Sequence, residues 1–187
     1  MFEYLKFGFI VICFLIALYY KKPYAALFTM AADYFLVIRV MNEIGVTIFI
    51  AAHLCYIARF SGNKRMLWYC TLFAIPSFVA ALALGEQFGT YLVFVSAVYA
   101  QCFLLSLFYA FNGFFRKRFP RTNGILIVTG MLLFVLCDIC VLIFNVSTGE
   151  ASRVAFNLIW VFYAPSQLLL ALSARFDMLS TKRRTLA

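Results

Sequence analysis

"GMLLFVLCDICVLIF", residues 130–144, carries a single carboxylate, Asp138, in an otherwise apolar run. The run continues over residues 124–145. As a helix rising about 1.5 Å per residue, that length crosses the ~30 Å hydrocarbon core of a bilayer. A second stretch, "TMAADYFLVIRV" (29–40), holds Asp33 in similar surroundings. The rest of the chain is of the same kind. It has 187 residues, 66% hydrophobic and 12% charged, with a mean hydropathy of +0.97. Soluble domains are about half apolar and about a quarter charged. This composition excludes a soluble globular protein and leaves no room for a separate soluble domain.

Seven stretches are long and apolar enough to be read as spanning helices: 3–20, 23–40, 44–60, 67–84, 90–111, 124–145 and 154–174. The expected fold is therefore all-α, a polytopic transmembrane bundle of seven helices forming one domain over residues 1–187. The first stretch has no basic leader and no A-x-A site before "YYKKPY", so it reads as a retained helix rather than a signal peptide.

Loop charge orients the bundle. Lys21 and Lys22, then Arg59, Lys64 and Arg65, then Arg116, Lys117, Arg118 and Arg121 fall in the first, third and fifth loops. Arg175, Lys182, Arg183 and Arg184 follow in the tail. With these inside, only Lys6, Arg39 and Arg153 remain on the other face. By the positive-inside rule the N-terminus is outside and the C-terminus in the cytoplasm. The net charge of +9 is then an orientation signal rather than a nucleic-acid footprint. The basic "RKRFPR" loop could also attract anionic membrane lipid. The expected location is integral to the membrane, the plasma membrane if the source is bacterial.

All six cysteines lie within the apolar stretches, where a thiol behaves as a small apolar group. "CDIC" (137–140) places two sulfurs near one helical face, but it has no second C-x-x-C and the chain has one histidine. A zinc site is not expected, and neither is any cofactor.

The polar residues inside the helices need a reason. Insertion of a carboxylate at mid-bilayer costs roughly 2.5–3.5 kcal/mol, so such groups face the bundle interior and seek partners. The candidates are His53 and Tyr56 in "AAHLCY", Gln101, Asn145, and Asn157, Tyr163 and Gln167 in the last helix. Asp33 lies about ten residues into its helix, roughly 15 Å deep, and Asp138 roughly 20 Å from the same side. His53 comes roughly 12–14 Å from the opposite face, so all three can share one layer. His53 and Tyr56 are three apart, Asp138 and Asn145 seven apart, and each pair shares a helical face. Asn157, Trp160, Tyr163 and Gln167 cover about a third of their helix's circumference. A lone membrane His or Gln is more often glue between helices than a catalyst, and this reading suits Gln101 best. Two carboxylates with one histidine are harder to explain that way, because one acid lacks a basic partner.

An Asp in "MAADYFLV", a glycine about twelve residues on, and then "FIAAHLCY" resemble the pattern of the YhhN family, which includes lysoplasmalogenases. "GMLLFVLCDICVLI" is similar to that family's second Asp-bearing helix, and "FYAPSQLLL" to its final Y-x-x-x-Q segment. The likeness spans residues 24–172. It implies a membrane-embedded hydrolase that cleaves the vinyl ether of a lysophospholipid, with Asp33, His53, Tyr56, Asp138, Tyr163 and Gln167 at the site. Two features depart from the family pattern: it usually has eight helices, and Ala32 stands where a glycine usually precedes the first Asp.

Vinyl-ether hydrolysis begins with a proton delivered to carbon, giving an oxocarbenium ion. Water adds, and the hemiacetal collapses to an aldehyde. The step needs one acid kept protonated and one kept ionised, and two titratable groups set apart by their surroundings are the general mark of such a pair. Sequence leaves the two parts exchangeable. The apolar flanks of Asp138 suit the acid, and Asp33, with His53 nearby to hold it charged, suits the base or cation stabiliser. Intramembrane acids also mark proton paths, so a small proton-coupled transporter is the alternative, with a non-catalytic lipid-binding protein behind it.

Overall fold

The computed structural model describes the backbone of residues 2–62 and 70–185, and the side chains of 3–62, 70–86 and 89–175. Lys64, Arg65 and the side chains of Lys182, Arg183 and Arg184 lie outside the described residues. The described residues form seven α-helices and no strand. These are α1 (Phe2–Tyr19), α2 (Tyr24–Asp33), α3 (Asn42–Ser61), α4 (Ala74–Phe88), α5 (Thr90–Phe115), α6 (Arg121–Val146) and α7 (Gly149–Thr185). A π turn, Tyr34–Ile38, continues α2, and a 3-10 turn, Cys70–Phe73, leads into α4. The expected all-α fold and its seven segments are found. The last one starts earlier than "154–174" suggests, because Gly149 at φ 68° lets the chain turn tightly out of α6.

Among the described residues, four helices are long and apolar enough to cross a membrane: α3, α5, α6 and the Gly149–Arg175 part of α7. α1, at 18 residues, sits near the lower limit of about 17. Tyr24–Ile38 and Cys70–Glu86 are shorter apolar helices.

Six helices close into a ring in the order α1, α2, α3, α5, α6, α7 and back to α1. The antiparallel α6–α7 hairpin is the most extensive pair. Among the helices, α4 packs mainly on α5, outside the ring. Ile75, Phe78, Val79 and Leu82 are exposed along it. Lipid tails are as apolar as leucine, so helices in a bilayer associate through close packing rather than hydrophobic exclusion. Gly130 shows this: a Cβ there would lie 2.9 Å from Leu170 Cγ and 3.3 Å from the Ser166 carbonyl.

The basic ends of the helices gather at one end of the bundle. Arg118, from the α5–α6 loop, donates to the terminal carbonyls of α3 at Phe60 (2.9 Å) and Ser61. Arg59, in the last turn of α3, donates to Ser173 of α7 at 2.8 Å. At the end of α1, Lys21 takes a left-handed conformation (φ 59°). Its N–H bonds to the Leu18 carbonyl at 2.9 Å, and that of Lys22 to the Ala17 carbonyl at 3.0 Å. This is the Schellman arrangement, here without the usual glycine.

Candidate functional site

Inside the ring the two carboxylates are each held by a tyrosine from a different helix. The Tyr163 hydroxyl of α7 donates to Asp33 Oδ2 of α2 at 2.5 Å. The Tyr99 hydroxyl of α5 donates to Asp138 Oδ2 of α6 at 2.7 Å. Asp33 is 3% exposed and Asp138 is half-buried. A hydrogen bond to a charged group contributes about 1.5–3 kcal/mol, comparable with the roughly 2.5–3.5 kcal/mol that inserting an acid costs. One phenol per carboxylate thus offsets most of the penalty without supplying a counter-charge. Neither acid is hydrogen-bonded to a basic side chain among the described residues.

Aromatic rings connect the two pairs. Phe134, one turn before Asp138, lies 5.6 Å from the Tyr163 ring and 5.4 Å from His53. His53 in turn lies 5.2 Å from Tyr99. Tyr99 and Cys137 are within electrostatic reach of both carboxylates. The shared layer expected from helix depth is present.

The role expected for His53 is corrected. It does not hold a carboxylate: its ring packs on Phe134 of α6, but its hydrogen bond goes to Ser106 of α5. His53 Nδ1 lies 3.0 Å from Ser106 Oγ, and Ser106 donates its only hydroxyl proton to the Phe103 carbonyl at 2.7 Å. Serine has one O–H, so Nδ1 must be the donor in the imidazole pair. The ring is then the Nδ1–H tautomer, and the buried Nε2 lone pair has no hydrogen-bond partner among the described residues.

The other candidates separate into two groups. Tyr56 and Gln167 are buried near the carboxylate layer, at 3% and 4% exposure. Gln101 turns away and donates to Ser77 Oγ of α4 at 2.8 Å and to the Ala97 carbonyl at 3.0 Å. Asn145 is exposed and donates to the Val141 carbonyl at 2.7 Å, and Asn157 is also exposed. None of these last three reaches the carboxylates. Tyr99 and Ser106 were missed by sequence reasoning. They are seven apart, two turns along one face of α5, and that stripe was the available signal.

The arrangement can carry out acid–base chemistry. Each carboxyl accepts a phenol proton at Oδ2, leaving Oδ1 to give or take a proton. No grouping of three metal-ligating side chains occurs among the described residues, and the six cysteines are free thiols.

No curated protein and no solved structure matches the chain. A family model does match, over residues 7–174, and its description is the YhhN family. That match reaches all six ring helices and contains both tyrosine-held carboxylates, and by it this chain belongs to the YhhN family.

Proposed function

We propose that this protein hydrolyses the vinyl-ether bond of a lysoplasmalogen-like lysophospholipid. The observation that supports this most is the pair of carboxylates in one membrane-embedded layer, each bound by a phenol and neither by a basic side chain. A structural ion pair would have a cation. These acids keep a free oxygen each and sit among rings able to flank a lipid chain.

In this reading one aspartic acid delivers its proton from Oδ1 to the outer carbon of the C=C bond. The adjacent carbon, bonded to the ether oxygen, becomes an oxocarbenium centre, which the second, ionised aspartate stabilises. Water adds there as that carboxylate takes its proton. The hemiacetal then splits into a fatty aldehyde and the glycerol hydroxyl of the head-group half. One water is consumed, and the acid and base recover their protonation states by proton exchange. Such placed acid–base groups typically contribute about 10²–10⁴ in rate.

The test is incubation of purified protein with a vinyl-ether lysolipid and with its saturated alkyl-ether counterpart. Aldehyde should appear from the first only, in detergent and without any ion gradient. Gradient-dependent solute flux with no aldehyde would favour the transporter instead. The orientation proposed with this reading places the basic end in the cytoplasm. A cytoplasm-specific reporter should be active after Ala187 and silent at the N-terminus.

A further inference from the structure

A hydrolase buried in a bilayer must obtain water, and one cavity of this bundle has the lining for it. The cavity lies between α1, α2, α3 and α7 and offers about 20 Å³ of room, enough for about one water molecule. Lys22 and Arg59 line it together with Thr29, Tyr56, Gln167 and Cys13. Thr29 is 1% exposed, and its Oγ1 makes no direct hydrogen bond among the described residues. Tyr56 lies within polar reach of that hydroxyl. A buried water is held by about two to four polar partners, and Thr29, Tyr56 and Gln167 are three.

The order of residues along the helices gives the cavity a direction. From Lys22, in the turn before α2 at the bundle end, the sequence runs along α2 to Thr29 and then Asp33. On α7 it runs the other way, from Tyr163 to Gln167 and then Ser173, which holds Arg59. Thr29 and Asp33 are four apart, as are Tyr163 and Gln167, so each pair shares a helix face about 6 Å apart in depth. The polar lining therefore lies one turn from the Asp33–Tyr163 pair, toward the basic end. Cys13, on the cavity wall, is within electrostatic reach of Asp33. The Schellman turn sets the backbone of Lys22 at this end of the cavity, and the Arg59 guanidinium is held by Ser173. Positive charge at such a mouth passes neutral water while opposing cations and protons.

We infer that this cavity is the water site of the enzyme: Thr29, Tyr56 and Gln167 hold one water molecule beneath Asp33, replenished past Lys22 and Arg59. The inference rests on the hydrolase reading for its catalytic meaning, but hydration of the cavity can be measured without turnover.

The experiment is hydroxyl-radical footprinting by X-ray radiolysis of the detergent-purified protein, alongside aldehyde assays, on wild type, Thr29→Val and Thr29→Ser. Radicals formed from a bound water should label Tyr56 and Cys13 despite their burial. Thr29→Val should lower that labelling several-fold and lower aldehyde release about five- to tenfold, as expected for one lost hydrogen bond of about 1 kcal/mol. Thr29→Ser should retain both. Absence of labelling at Tyr56 and Cys13 in wild type would overturn the inference. So would loss of labelling in Thr29→Val with turnover unchanged, because the water would then be structural. If wild type releases no aldehyde, the hydrolase reading fails and the catalytic role of the water with it. The labelling pattern would still decide whether the cavity is hydrated.

Discussion

The Gln101–Ser77 tie and the carboxylate layer are both polar contacts inside an apolar bundle, yet they are built differently. Gln101 points outward from the ring to α4, and its amide N–H groups face three acceptors: Ser77 Oγ, the Ala97 carbonyl and the Phe73 carbonyl. Its donors are fully occupied, and its contacts hold α4 against α5. Asp33 and Asp138 point inward, and each is given one phenol. Their remaining oxygens keep capacity for a proton or a ligand. The difference is that the donors of Gln101 are spent on α4 and α5, whereas each carboxylate keeps an oxygen open toward the interior.

The comparison breaks most sharply at the acids. Asp33→Asn and Asp138→Asn should each lower aldehyde release about 10²–10⁴-fold while leaving thermal melting close to wild type. The double variant should be scarcely slower than either single one, since groups acting as a unit are non-additive. Wild-type turnover in both Asn variants would reduce the aspartates to the same role as Gln101.

Removing the phenol rather than the acid should have an intermediate effect. Tyr99→Phe and Tyr163→Phe keep the ring and lose one hydrogen bond to a carboxylate, about 1.5–3 kcal/mol, so turnover should fall about ten- to a hundredfold. Equal rates in wild type and both Phe variants would mean the phenols are only packing.

His53→Gln should act on stability more than on rate. The imidazole is tied to Ser106 and not to an acid, so the pH–rate profile should keep its shape while the melting temperature falls. A displaced profile would restore His53 as the group that tunes a carboxylate. The smallest effect is expected at Gln101→Leu. Interhelical hydrogen bonds in membranes average about 0.6 kcal/mol, so a slight loss of stability and unchanged turnover are predicted. A turnover loss comparable with the Tyr variants would place α4 in the mechanism.

The fold was readable because a bilayer imposes it. Apolar length marks each helix, and the seven segments of the sequence correspond to the seven described helices. The two acids were readable for the same reason, since an intramembrane carboxylate is too costly to be incidental. Their partners were harder to find. Tyr99 is one of 11 tyrosines, and only its seven-residue spacing from Ser106 separates it from a phenol packed against lipid. Gln101 stood out by its polarity, but at about 100° per residue it lies some 200° around α5 from Tyr99, on the opposite face. Which face of α5 turns inward depends on α4 lying outside the ring, and that is a tertiary fact. Likewise, the spacing of His53 and Tyr56 identified their shared stripe but not that α5 would receive the imidazole.

The π turn at Tyr34–Ile38 begins where Asp33 ends. A π turn takes in one residue more than an α turn, so it acts as a phase shifter along the helix. The stripe of α2 that carries Thr29 and Asp33 stops at the acid instead of continuing toward the far membrane face. Beyond it Leu36 turns against Gly45 of α3, where a Cβ would have no room. The acid therefore stands at the end of its polar stripe. Past it the helix continues with Leu36 and Val37, so Asp33 is the last polar group that the stripe presents.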